Sequence, residues 1–83
     1  MDDAQRREEV RTLLRRHLHV IAPDEEADLV ASGVVDSLKL VELFLVLERK
    51  FRIQVTLDEM DLDDFRSVAS IAAYVKRQQS RLG

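Results

Sequence analysis

Few side chains in this sequence could do covalent chemistry, and one of them stands where such chemistry is supported. The 83 residues contain no cysteine, so no thiolate nucleophile, disulfide or thiolate metal site can form. His17 and His19 are the only imidazoles, and their neighbourhood lacks the further ligands a metal needs. His17 falls at the edge of an apolar stripe, where a satisfied boundary histidine is expected. With both imidazoles in or just after the first helical segment, no Ser-His-Asp arrangement can be assembled. Asp63 and Asp64 are paired carboxylates, but nothing in their acidic run would desolvate them and tune a catalytic acid. Two glycines are too few for a phosphate-cradling loop, and a chain this short lacks walls for a deep pocket. These features point away from an enzyme.

What remains is Ser37, in the tripeptide "DSL" at residues 36–38. It opens a helix four residues after Gly33. A helix N-terminus presents free amides and the positive end of the dipole, so a phosphodiester on that hydroxyl would be electrostatically favoured. The competing role is a plain N-cap, with the serine oxygen accepting from a first-turn amide.

The helix that Ser37 opens covers residues 37–51 and has more apolar residues than one buried face needs. Leu40, Leu43, Phe44 and Leu47, with Phe51, make one face at helical spacing. Leu38, Val41 and Leu45 make a second at i, i+3 and i+7, and Ser37 heads it as the i−4 neighbour of Val41. Either the second stripe is a docking surface, or the long loop before the helix folds over it.

The remaining elements must position this helix. Residues 2–18 read as an amphipathic helix with Val10, Leu13, Leu14, Leu18 and Ile21 on one face. Residues 19–36 hold Pro23 and Gly33 and show no period. They read as a loop tied down by Leu29, Val30, Val34 and Val35. Residues 52–56 read as an extended linker. Thr56 and Glu59 fit a capping box that would start a short helix at Leu57, followed by an acidic turn anchored by Phe65. Ser67 can cap a last helix with Val68, Ile71, Ala72 and Val75 on its face, ending in a frayed polar tail. The expectation is an all-α fold: a small four-helix bundle of three main helices, one short helix and a long first loop. It is a single domain over residues 1–83, with its core about 5–78.

The formal net charge of −3 argues against a general nucleic-acid binder. The acid is concentrated: residues 20–36 sum to −5 and residues 56–66 to −4, while residues 37–55 sum to +2. These acids either cap helix starts or form a negative rim that steers basic partners. No apolar stretch is long enough to span a bilayer, and the charged N-terminus is no signal peptide. A cytoplasmic monomer without membrane contact is expected.

The stretch "DLVASGVVDSLKLVELFLVLERKF" resembles the centre of acyl carrier and peptidyl carrier proteins, and "FRSVASIAAYV" resembles their last helix. The resemblance spans roughly residues 5–78. It implies that Ser37 receives 4'-phosphopantetheine from coenzyme A through a separate, magnesium-using phosphopantetheinyl transferase. The carrier itself catalyses nothing. It also implies that Asp36 helps the transferase recognise the site and that Leu38 touches partner enzymes. Val41 and Leu45 match exposed docking positions, and Glu42 and Glu48 match acids that meet basic partner patches. The implied partners are an acyl- or amino-acid-loading enzyme and downstream synthase or tailoring enzymes.

Lys39, Arg49 and Lys50 depart from the strongly acidic second helix of bulk fatty-acid carriers. The spacing "SGVVDSL" looks more like stand-alone carriers: the D-alanyl carrier protein, or discrete carriers of polyketide and nonribosomal peptide pathways. Secondary metabolism, such as antibiotic biosynthesis, is the expected setting. The alternative is an unmodified helical protein–protein interaction domain, with Ser37 as a cap and the outer stripe as a fixed interface.

Overall fold

The computed structural model describes residues 2–56, 58 and 60–82. Three α-helices and one short 3-10 turn follow in order: α1 (Asp3–Leu18), α2 (Ser37–Phe51), the turn (Leu62–Phe65) and α3 (Val68–Leu82). No strand occurs among the described residues. The expected all-α bundle is present, with the 3-10 turn as its short fourth element.

Asp2 caps α1 by accepting from the Gln5 amide at 2.7 Å. Val10, Leu13, Leu14 and Leu18 are buried as their spacing predicts. Ile21 is not: it is 76% exposed, and Val20 and Ala22 are buried instead. The cause is His19, which ends the helix in the left-handed region at φ 58°. Beyond it the chain is no longer helical, so side chains alternate and residues 20 and 22 turn inward. His17 is exposed, not a boundary residue.

The first loop is held by a specific set of bonds. Arg11 donates to the carbonyls of Ala22 and Pro23 at 2.8 and 3.1 Å. The Glu25 carbonyl accepts from Ala69 at 2.9 Å, and Leu29 donates to the Arg66 carbonyl at 2.6 Å. The Asp28 carboxylate accepts from the amides of Val30 and Ala31 at 3.1 and 2.8 Å. Leu29 and Val35 are buried as expected, whereas Val30 is half-buried and Val34 exposed. Gly33 takes φ +83°, a conformation that side chains rarely adopt.

The capping box expected at Thr56–Glu59, and the helix start at Leu57, lie outside the described residues. A reciprocal box does occur five residues on. Asp63 donates its amide to the Asp61 carboxylate at 3.0 Å, and Asp61 donates its amide to the Asp64 carboxylate at 3.3 Å. Ser67 caps α3 with Ser70 as its reciprocal partner, at 3.0 and 3.1 Å. The expected frayed tail is helical instead: α3 continues to Leu82. Gln79 within it accepts from Arg6, which is buried and also paired with Asp3 at 2.9 Å.

Leu43, Val46, Leu47 and Phe51 point from α2 into the core, and Leu40 and Phe44 pack against its edge. Phe65 sits at the centre. Its ring centroid lies 4.9 Å from those of Phe44 and Tyr74, the distance at which tilted aromatic pairs are favourable. Burial pushes the Tyr74 phenol pKa up, so the ring stays neutral.

Candidate functional site

The start of α2 is built so that the serine is spared. Asp36, in extended conformation at φ −98°, is the N-cap, and its Oδ1 accepts from the Lys39 amide at 2.9 Å. Its carbonyl accepts from the Leu40 amide at 2.9 Å, starting the helical ladder. Ser37 is therefore the first helical residue and not the cap. It is exposed, and among the described residues its hydroxyl has no hydrogen-bond partner. Val35 is buried just before it and fixes where the turn begins. A groove of about 250 Å³ opens beside the hydroxyl, lined by Val30, Val35, Leu40 and Leu62 together with Asp36 and Ser37.

This start suits an attached phosphodiester. The amides of Ser37 and Leu38, in the first turn, have no carbonyl ahead of them in the helix. The positive end of the α2 dipole points the same way. An anion tethered to the Ser37 oxygen would thus meet donors and a favourable field, with the groove alongside for a slender arm.

The second stripe of α2 is open. Leu38, Val41 and Leu45 are 69%, 53% and 54% exposed. The long loop does not cover them, because its bonds run to α1 and to the start of α3. Glu42 is also exposed on this helix. Glu48 is half-buried, and its Oε2 accepts from the Val55 amide at 3.0 Å. That carboxylate pins the extended linker after α2, a role its spacing did not announce. Val46, assigned to neither stripe by the pattern, belongs to the core.

Much of the concentrated acid serves the fold. Arg66 pairs with both Asp28 and Asp63, Arg77 with Asp64 at 2.8 Å, and Arg7 with Glu25 at 2.8 Å. The Asp28 carboxyl is held below its ordinary value of 3.8, chiefly by the Ala31 amide, with Arg66 and the Val30 amide adding to it. Among the described residues no cluster of histidine, cysteine and carboxylate side chains could hold a metal. No helix there is long and apolar enough to cross a membrane.

The structure thus combines a helical bundle, an exposed hydroxyl and an unburied apolar stripe behind it. The family described as "Phosphopantetheine attachment site" matches residues 8–75, and the chain belongs to that family. The prosthetic group of such a domain is covalently bound 4'-phosphopantetheine. The chain is 35% identical over 66 residues to the D-alanyl carrier protein of Streptococcus uberis, covering 80% of this chain and 84% of that one. It is 41% identical over 54 residues to the D-alanyl carrier protein of Streptococcus pyogenes serotype M5, covering 65% and 68%. The solution structure of a holo acyl carrier protein from Nitrosomonas europaea matches with a TM-score of 0.77 at 26% identity, over 92% of this chain and 98% of that one.

Proposed function

We infer that Ser37 is the attachment point of the 4'-phosphopantetheine, and that the chain carries an aminoacyl or short acyl group to partner enzymes. The observation that carries this reading is the division of labour at the start of α2. Asp36 takes the cap and leaves the adjacent hydroxyl exposed, with no bond among the described residues. A serine kept only as a cap would make that bond itself, which weakens the alternative of an unmodified interaction domain.

The bound group supplies a thiol, the one function this cysteine-free chain lacks, on which cargo rides as a thioester. The protein's own residues do the rest. The first turn of α2 holds the phosphodiester at its free amides. Leu38, Val41 and Leu45, with Asp36 and Glu42, form a small docking face beside it. So small a face gives weak, reversible association, which a carrier visiting several enzymes needs. Tethering then raises the local concentration of the cargo at each partner's active site. Glu48, tied to Val55, lies outside this docking set.

The partners are a phosphopantetheinyl transferase, a loading enzyme and a downstream acceptor enzyme. The relatives named as D-alanyl carriers favour an amino acid as cargo. The polyketide or nonribosomal peptide setting rests on sequence pattern alone. Incubation with coenzyme A and a broad-specificity phosphopantetheinyl transferase is expected to add one phosphopantetheine by intact mass. Ser37→Ala is expected to add none. A folded wild-type chain that gains no mass would overturn the reading.

A further inference from the structure

Lys39 stands two residues after the serine, and its ammonium does not face the docking stripe. Nζ lies 2.9 Å from the carbonyl oxygen of Leu18, the last residue of α1. That carbonyl is at a helix C-terminus, where it lacks an amide partner from the helix and the dipole is negative. A lysine ammonium is a matched donor there, and the half-buried position of Lys39 limits competition from water. The same residue's amide is the one held by the Asp36 cap. Lys39 therefore joins the head of α2 to the end of α1 through its side chain, and to its own cap through its backbone.

The spacing gives this bond a consequence for Ser37. Two residues along an α-helix are about 200° around its axis, so a side chain drawn inward at one position turns the other outward. We propose that Lys39 is a positioning residue for the modification of Ser37. Its bond to the Leu18 carbonyl fixes the rotation of the first turn of α2 and keeps the serine hydroxyl turned to solvent. The same bond withdraws a cation from the serine end of the docking stripe. Among the other basic residues of α2, Arg49 and Lys50 lie in the last turn and are exposed, so none shares this function. The proposal rests on Ser37 being the attachment point.

The test uses the full chain as wild type, Lys39→Met and Lys39→Arg, with coenzyme A and a broad-specificity phosphopantetheinyl transferase. Initial rates are read by intact mass at several carrier concentrations, at a temperature where all three show the same helical circular dichroism. Lys39→Met is expected to lower kcat about tenfold with KM little changed, the scale of losing one charge-assisted hydrogen bond. Lys39→Arg, whose guanidinium can also reach the carbonyl, is expected to restore most of the rate. Amide hydrogen exchange over residues 18–20 and 37–40 is expected to quicken in Lys39→Met and not in Lys39→Arg. Three results would overturn the proposal. One is a wild-type kcat in Lys39→Met. Another is an effect confined to KM with unchanged exchange, which would make Lys39 a direct contact of the transferase. The third is failure of arginine to rescue. If wild type itself gains no mass, the assignment of Ser37 falls first and takes this one with it.

Discussion

The two apolar stripes of α2 use the same residue types on the same helix and meet opposite fates. Leu43 and Leu47 are fully buried, while Leu45, between them in sequence, is more than half exposed. Nothing local separates these leucines, since helix propensity and side-chain volume are the same. The difference is what surrounds them. α1, α3 and the Phe65 turn close over one side, and no element among the described residues closes over the other. An apolar row that folding leaves uncovered adds little stability to the free protein, and on the proposed reading it serves what meets it from outside.

That contrast can be broken most directly through stability. Leu47→Ala is expected to cost about 2–5 kcal/mol, the range for emptying a packed leucine site. Leu45→Ala is expected to cost no more than about 0.5 kcal/mol, as exposed positions do. Both are read from urea unfolding of the apo chain. Equal losses would mean that the outer stripe belongs to the core.

A smaller effect sharpens the functional side. Val41→Asp is expected to leave the melting temperature within a few degrees while weakening loading by a partner enzyme about tenfold, since it puts a desolvated charge into an apolar contact. Parallel loss of loading and melting temperature would assign Val41 to structure.

The smallest expected effect concerns the loop that fails to cover the stripe. The folded chain lowers the Asp28 carboxyl below 3.8, so the ionised form is the stabilising one. That contribution is present above the unfolded value and is lost as pH falls through the folded one. Wild type is expected to lose melting temperature on acidification from about pH 5 to about pH 3 more steeply than Asp28→Ala. Matching slopes would show that the loop does not depend on this carboxylate.

The fold was legible where periodicity is strong. The faces of α1, the core side of α2 and the α3 stripe all follow from spacing, because burial along a helix repeats every three to four residues. What escaped was set by single residues bonding across long sequence distance. His19 in the left-handed region ended α1 at Leu18, as the pattern had it, but left Ile21 beyond the helix and exposed. Arg6 reached Gln79 and drew the C-terminal residues into α3. Glu48 turned back to the linker. At the site, "DSL" located the hydroxyl, but the cap the pattern suggested was Ser37, whereas Asp36 takes that place. Both can do so, and only backbone geometry decides. The acidic runs were ambiguous for a similar reason. Charge sums do not show that Arg66, Arg77 and Arg7 had already claimed much of that acid.

The bonds of Arg6 to Gln79 and of Asp3 to Lys76 draw the first turn of α1 against the last turns of α3. Lys39 meets α1 at its other end, about 24 Å away along a 16-residue helix. The start of α1 and the end of α3 thus share the pole opposite Ser37. On the proposed reading, an affinity tag or fluorescent reporter joined beyond either helix hangs clear of Ser37, and immobilised versions are expected to remain open to modification.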